Sequence, residues 1–133
     1  MNRTLLITGG SRGIGAAAAI LAAQRGWDVA VNYARDAAAA EAVAEQVHAL
    51  GRRALVIQAD VADEAQVLAM YATVDKEFGA LNGLVNNAGV VDRPARVDEM
   101  SLQRLMRMFA INLTGSFLCA REAVKRMSTK HGG

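Results

Sequence analysis

"TGGSRGIG", residues Thr8 to Gly15, joins a short apolar run to an alanine-rich segment, and this junction sets the architecture expected for the chain. Its glycines at 9, 13 and 15 permit a tight turn and a close approach of the backbone to a ligand. A helix that starts near Gly13 directs its free N–H groups and its positive dipole end into the turn. The junction therefore predicts a strand, a phosphate-binding turn and a helix; a turn that merely requires glycine is the alternative.

Outward from this junction, short β-branched runs alternate with longer segments of helical period. Strands are predicted at residues 4–8, 27–32, 54–58 and 83–86, and helices at 13–25, 36–50, 63–78 and 101–127. In the last helix the residues predicted to face inward are Leu105, Phe109, Leu113, Phe117 and Ala120. The alternation predicts an α/β fold: a Rossmann-type doubly wound parallel sheet of strand order 3-2-1-4, in three α/β/α layers, built by one domain over residues 1–133.

The composition excludes several classes of partner. Fifteen Lys and Arg against thirteen Asp and Glu give a net charge of +2, and the two signs alternate along the chain, so nucleic acid is not expected to bind. The longest small or apolar run, from Gly15 to Ala23, is too short to cross a bilayer, so no membrane partner is expected. His48 and His131 have no companions at metal-ligand spacing, so no metal site is predicted.

Cysteine usage indicates the compartment. The single Cys119 cannot form an intrachain disulfide, and the apolar start "TLLIT" is too short for the core of a signal peptide. Both observations favour the reducing cytoplasm. On a helix, Cys119 is expected to be a small buried apolar group.

Two further motifs follow predicted strands at the carboxyl edge of the sheet, where open α/β folds bind ligands. In "ADVAD", Asp60 can accept a hydrogen bond from an adenine amino group while the backbone of Val61 reads the ring edge; the alternative is that Asp60 caps the next helix, for which Asp63 is better placed. In "NNAG", the small residues Ala88 and Gly89 leave room for a ribose, and the asparagine pair can tie neighbouring strand ends together. A pure turn is the alternative for this motif.

The four motifs "TGGSRGIG", "ADV", "NNAG" and "INLTG", in this order, resemble those of the classical short-chain dehydrogenase/reductases, which move hydride between NAD(P)H and carbonyl or alcohol substrates. The resemblance covers the whole chain but about the first half of what the family has. It implies that the phosphates are surrounded by Gly9, Ser11, Arg12, Gly13, Ile14 and Gly15, the adenine by Asp60 and Val61, and the riboses by Asn87, Ala88 and Gly89. It also implies a small-molecule carbonyl or alcohol substrate and a homo-oligomer, either a dimer or a tetramer.

The end of the second predicted strand bears on the choice of cofactor. NAD-binding relatives place a carboxylate there, whereas this chain has Asn32, with Arg35 close by and Arg12 in the glycine turn. The two cations favour a 2'-phosphate, so NADP(H) is predicted to be preferred over NAD(H). Asp36 can swing toward the ribose unless it is occupied as a helix cap. Asn32 also argues against a methyltransferase of similar topology, which requires an acidic residue at this position.

Asn112 is the candidate catalytic residue. It shares helical spacing with Leu105, Phe109 and Ser116, so its amide is expected on the inward face, where an unpaired amide costs about 1 to 3 kcal/mol. An ordinary core asparagine with satisfied hydrogen bonds is the alternative. The resemblance implies that this asparagine belongs to the catalytic set and helps to hold the water and the lysine that relay the proton.

The resemblance also implies a catalytic Tyr, a Lys four residues later and a Ser. The chain has Tyr33 and Tyr71, and neither is followed by Lys at that spacing. Two function classes remain: the cofactor-binding part of an oxidoreductase, or a nucleotide-binding protein or subunit without catalysis. The first is favoured because the fourth strand, "GLVN", would otherwise be an uncovered apolar edge. The 133-residue polypeptide alone is therefore expected to be incomplete and catalytically silent.

The substrate cannot be assigned from these residues. The loop from Val90 to Met100 is expected to form one wall of the substrate pocket. Sugars, 3-oxoacyl thioesters and small ketones all remain open.

Overall fold

The chain folds as four strands alternating with helices, and the computed structural model describes residues 2–133. The strands are β1 (Arg3–Ile7), β2 (Trp27–Tyr33), β3 (Ala54–Gln58) and β4 (Gly83–Val85). The helices are α1 (Gly13–Gln24), α2 (Ala37–Ala49), α3 (Glu64–Phe78), α4 (Leu102–Phe109) and α5 (Gly115–Met127). A π-helical stretch, Ala110–Thr114, joins α4 to α5, and short 3-10 turns lie at Val97–Glu99 and Thr129–His131.

All strand pairs are parallel and the strand order is β3-β2-β1-β4, which confirms the predicted topology. Successive side chains of β1 point to opposite faces of the sheet. Leu6 packs in a core with Tyr71 of α3 and Cys119 of α5, and Ile7 packs in a second core with Ala19 of α1 and Val43 of α2. Helices therefore cover both faces, as the predicted three layers require.

Three helices begin with a side chain that caps the backbone. Asp36 accepts from the N–H of Ala39, Asp63 from that of Gln66, and Ser101 from that of Arg104. The predicted role of Asp63 is thus confirmed. Asp36 is occupied as a helix cap. The sequence predicts that Asp36 turns toward a ribose only if it does not cap a helix.

The prediction for the last helix is wrong in two respects. The helix is interrupted by the π-helical stretch, and three of the residues expected to face inward, Phe109, Leu113 and Phe117, are 60%, 52% and 71% exposed. The buried residues are instead Ile111, Gly115, Cys119, Glu122 and Ala123. At about 100° per residue, a displacement of two positions turns the buried face to nearly the opposite side. Small residues on this face allow the close approach: a Cβ added to Gly115 would lie 2.9 Å from the carbonyl oxygen of Val61.

A nearly buried carboxylate joins α5 to its surroundings. Glu122 is 3% exposed and accepts hydrogen bonds from Arg121 at 2.9 Å, Lys125 at 3.0 Å and Arg126 at 3.3 Å. Arg126 also binds Asp75 of α3 with two contacts of 2.8 Å. Burial acts to raise the pKa of Glu122, but hydrogen bonds from Lys125, Arg121 and Arg126 outweigh it and hold the pKa below its ordinary value.

We expect Glu122→Gln to lower the free energy of unfolding by about 2 kcal/mol at pH 7, because it leaves three cations without their shared anion. Since the pKa of Glu122 is lower in the folded state than in the unfolded state, its contribution is present above the ordinary pKa of Glu and disappears as the pH falls through the folded value. Urea unfolding at pH 7 and at about pH 3 measures both effects.

The matched control is Glu64→Gln, because Glu64 is 59% exposed and binds only the outer side of Arg121. This change should alter stability by less than about 0.5 kcal/mol. A Glu122→Gln deficit of equal size at both pH values would contradict the electrostatic explanation.

Candidate functional site

The carboxyl ends of the strands open into a cleft of about 660 Å³. Ten of the residues predicted from the sequence line it: Gly9, Ser11, Arg12, Asn32, Arg35, Asp60, Val61, Asn87, Ala88 and Gly89. Gly13, Ile14 and Gly15 lie next to it, in the first turn of α1. Asn112 does not line the cleft, but its side chain binds the backbone of Val90, which does.

The turn between β1 and α1 is held in a tight conformation that only glycine allows. A Cβ on Gly15 would lie 2.6 Å from both the carbonyl oxygen of Gly9 and Nδ2 of Asn87, closer than atoms can approach. Arg12 occupies the N-cap of α1, and its side chain makes no capping hydrogen bond. Unlike the capped helices α2, α3 and α4, α1 therefore offers its first N–H groups to a ligand, which fits a phosphate group.

Polar side chains tie the ends of β1 and β4 together. The hydroxyl oxygen of Thr8 accepts from the N–H groups of Asn87 and Ala88 at 3.1 and 3.0 Å, and Nδ2 of Asn87 donates to the carbonyl oxygen of Gly9 at 2.8 Å. Asn86 donates to the carbonyl oxygen of Ser116 in α5 at 2.9 Å. The predicted tie between strand ends is confirmed for Asn87, whereas Asn86 joins the end of β4 to α5, so "NNAG" is more than a turn.

Asn32 joins the ends of three strands. The side chain is 1% exposed; its Oδ1 accepts from the N–H of Gly9 at 3.1 Å, and its Nδ2 donates to the carbonyl oxygens of Ile57 and Ala59 at 3.3 and 3.2 Å. Because these contacts engage the amide, a direct role in choosing the cofactor would require breaking them. Tyr33, the next residue, also lines the cleft and was not predicted to do so.

Asp60 does not cap α3, which excludes the alternative raised for it. Its Oδ1 accepts from the N–H of Ala62 at 3.0 Å, and its Oδ2 accepts from Arg107 at 3.2 and 3.3 Å. The cap of α3 is Asp63. The Asp60 side chain is 32% exposed and remains on the cleft surface.

The charged groups of the cleft leave two cations free. The carboxylate of Asp36 caps α2, that of Asp60 binds Arg107, and that of Asp92 lies 3.7 Å from Arg104. Arg12 and Arg35 are exposed on the cleft, and within residues 2–133 neither forms an ion pair. The accessible charge is therefore positive, which suits an anion.

Asn112 is exposed, so the expected buried position is wrong, although the expected partners exist. Its Oδ1 accepts from the N–H of Val90, and its Nδ2 donates to the carbonyl oxygen of the same residue, both at 2.8 Å. Asn112 lies within the π-helical stretch, and such stretches are frequent at functional sites. Asn112 thus fixes the loop after β4 to the junction of α4 and α5.

Two arginines of the site were not predicted. Arg104 and Arg107 lie three residues apart on α4, and both line the cleft. Their spacing on one helical face was the only available signal. Met108 of the same helix also lines the cleft.

Tyr71 and Cys119 lie in the core, away from the cleft. The hydroxyl of Tyr71 donates to the carbonyl oxygen of Cys119 at 2.6 Å, and burial raises the pKa of Tyr71. Cys119 is fully buried, which confirms its interpretation as a buried apolar group, and this burial raises the pKa of its thiol to about 11. Across the described residues, none of the helices combines the length and the apolar character needed to cross a membrane.

Comparisons with known proteins agree with one another. A family model described as short chain dehydrogenase matches residues 3–133. The uncharacterised oxidoreductase YgfF of Escherichia coli K12 is 48% identical over 128 residues, which make up 96% of this chain and 52% of that protein. The 3-oxoacyl-[acyl-carrier-protein] reductase FabG of Staphylococcus aureus is 41% identical over 133 residues, or 100% of this chain and 54% of that protein.

Solved structures match equally well. A short chain dehydrogenase from Burkholderia cenocepacia in complex with NADP has a TM-score of 0.90 and 40% identity, over 94% of this chain and 51% of that one. The chain spans about half the length of the curated relatives it matches.

Proposed function

The chain belongs to the short-chain dehydrogenase family, and we propose that the protein transfers hydride between NADP(H) and a carbonyl or alcohol substrate, with residues 1–133 supplying its cofactor-binding part. The observation that carries this proposal is the uncapped start of α1 beside two unpaired arginines, at the carboxyl edge of a parallel sheet. The bound nicotinamide supplies the hydride chemistry.

The residues of the cleft would divide the dinucleotide among them. The first turn of α1, residues 13–15, would bind the pyrophosphate through backbone N–H groups. Asp60 and Val61 would contact the adenine, and the small residues of "NNAG" would lie against the riboses. Asn112, through Val90, would hold the loop near the nicotinamide and contribute to proton relay.

The preference for NADP(H) rests on Arg12 and Arg35. Both line the cleft, and the acidic residues around them are engaged elsewhere, so among residues 2–133 a 2'-phosphate would meet two free cations and no free carboxylate. The relative from Burkholderia cenocepacia, whose solved complex contains NADP, supports the same choice.

We expect the double change Arg12→Ala with Arg35→Ala to weaken NADPH binding about tenfold or more, because charge-assisted hydrogen bonds to the 2'-phosphate are lost. NADH lacks this phosphate, so its affinity should change less than about threefold. Equilibrium titration with both dinucleotides measures the ratio. Arg25→Ala, at the far end of α1 and outside the cleft, is the control. An unchanged ratio in the double variant would refute this assignment.

The substrate classes to test are suggested by the relatives of the chain and not by the geometry of the cleft. Relatives of the chain include a 3-oxoacyl-[acyl-carrier-protein] reductase and an L-rhamnose 1-dehydrogenase. Thioesters, sugars and small ketones are therefore the panel to test.

The proposed homo-oligomer would bury the apolar side chains that α4, the π-helical stretch and α5 leave exposed, among them Phe109, Leu113 and Phe117.

We propose that a polypeptide of residues 1–133 alone does not catalyse substrate turnover. The hydroxyl of Tyr71 is committed to the core, and Tyr33 has no lysine four residues later. The test expresses residues 1–133 beside the natural reading frame and assays NADPH oxidation with the panel. Turnover by the natural protein supports the proposal, whereas NADPH binding without turnover by that protein would favour the non-catalytic alternative.

A further inference from the structure

Asp60 is held from three sides before any nucleotide binds. Its N–H donates to Oε1 of Gln66 at 2.8 Å, its Oδ1 accepts from the N–H of Ala62 at 3.0 Å, and its Oδ2 accepts from both terminal nitrogens of Arg107 at 3.2 and 3.3 Å. Gln66 is itself fixed by Asp63, to which it donates at 3.2 Å. The carboxylate therefore has one orientation on the cleft surface.

The count of acceptor sites shows what this carboxylate can still bind. A carboxylate offers about four lone-pair positions, two on each oxygen. Arg107 occupies both positions on Oδ2, and Ala62 occupies one on Oδ1. Among the described contacts, about one acceptor position on Oδ1 is left. A single N–H donor can use it, whereas a carbonyl oxygen at the same place would be repelled.

We propose that Arg107 is a positioning residue for nucleotide recognition: by occupying Oδ2 of Asp60, it leaves Oδ1 as the acceptor that selects a base with an exocyclic amino group. The inference rests on the proposed binding of an adenine dinucleotide in this cleft. It differs from a role in overall stability, because Arg107 and Asp60 are 51% and 32% exposed, and exposed ion pairs contribute little to folding.

Alternative roles for Arg107 lead to different results. If the guanidinium donated a hydrogen bond to the base directly, its loss would weaken the hypoxanthine analogue, which offers a carbonyl oxygen, at least as much as NADPH. If it competed with the base for Asp60, its loss would strengthen binding. A positioning role is the one that lowers the preference for the base whose amino group faces Asp60 when Arg107 is lost.

The experiment compares NADPH with its hypoxanthine analogue, in which a carbonyl oxygen replaces the amino group of adenine. Equilibrium titration of the natural protein should show about tenfold tighter binding of NADPH, the value of one charge-assisted hydrogen bond. In Arg107→Met the ratio should fall to about threefold or less, and Arg107→Lys should restore part of it. Asp60→Ala gives the ratio without the acceptor.

Arg96→Met is the matched control, since Arg96 forms an exposed ion pair with Asp98 and does not line the cleft. Its ratio should equal that of the unmodified protein. An unchanged ratio in Arg107→Met, an equal loss for both dinucleotides, or tighter binding would each overturn the proposal. Failure of the unmodified protein to bind either dinucleotide would overturn the proposed function as well, so the two failures are distinguishable.

Discussion

Replacing Gly15 with alanine is expected to weaken NADPH binding more than tenfold and to destabilise the fold by about 1 to 3 kcal/mol. The added Cβ would lie 2.6 Å from the carbonyl oxygen of Gly9 and from Nδ2 of Asn87, so the turn and the end of β4 must separate. Helix propensity alone predicts the opposite sign, a gain of about 1 kcal/mol for Gly to Ala inside a helix. Thermal unfolding and NADPH titration of the variant decide between the two.

Ala17→Ser is the control for this change, because it also adds one heavy atom to α1 but at an exposed position. It should leave NADPH affinity unchanged within about twofold and stability within about 0.5 kcal/mol. A Gly15→Ala protein that is more stable than the parent and binds NADPH normally would show that the turn can relax, contrary to our expectation.

Asn112→Ala is expected to lower kcat of the active protein about 100-fold while NADPH affinity changes less than about threefold. The side chain forms both hydrogen bonds to Val90 at 2.8 Å and lies outside the cleft that is proposed to hold the dinucleotide. Its loss would release the loop after β4, which we propose lies near the nicotinamide, without removing a phosphate contact. Single-turnover kinetics and equilibrium titration separate the two effects.

Asn112→Asp refines the test. A carboxylate can still accept from the N–H of Val90 but cannot donate to its carbonyl oxygen, so an intermediate kcat is expected. Ser116→Ala, one helical turn later, removes a hydroxyl that donates to the carbonyl oxygen of Asn112, and it should retain most of kcat. Full activity of Asn112→Ala would reduce Asn112 to a structural residue.

The sheet was predictable because its signals are local. β-branched runs such as "VAVN" and "LVI" alternate with helical segments, so the strands were placed within one or two residues of their observed bounds. The polar turns that follow β1, β3 and β4 all meet at one edge because parallel strands end together. That geometry predicted where the cleft lies, whereas the resemblance to the short-chain dehydrogenase/reductases supplied the full set of residues expected around the cofactor.

The inward face of the last helix was not predictable from apolar spacing. Large apolar residues mark the exposed side, whereas the buried side carries Gly115, Cys119 and Ala123 together with the charged Glu122. Small residues give a weak hydropathy signal, and a buried carboxylate gives a misleading one. The π-helical stretch adds a phase shift that no regular period contains.

Contacts between distant residues were the other limit. Arg107 meets Asp60 across 47 positions of sequence, and the amide of Asn32 binds backbone atoms 23 to 27 positions away. Neither contact leaves a local pattern in the sequence. The backbone groups that Asn32 binds are the same at every residue, and nothing near Arg107 in the sequence indicates its distant partner. The sequence drew attention to Asn32 at the end of the second strand, but only the structure shows the direction of its side chain.

The ties between Thr8, Gly9 and the end of β4 also determine when the cleft can appear as the chain folds. They join residues separated by 78 to 80 positions, whereas β1, α1 and β2 are neighbours in sequence. Contacts of such long range form slowly, because the intervening loop must close first. A chain emerging from the ribosome that has reached only α3 already contains the whole glycine turn and Asn32, but it lacks the groups at the end of β4 that also hold the turn. Nucleotide capture would thus be a late event in folding, and it would select molecules in which β4 has already docked against β1.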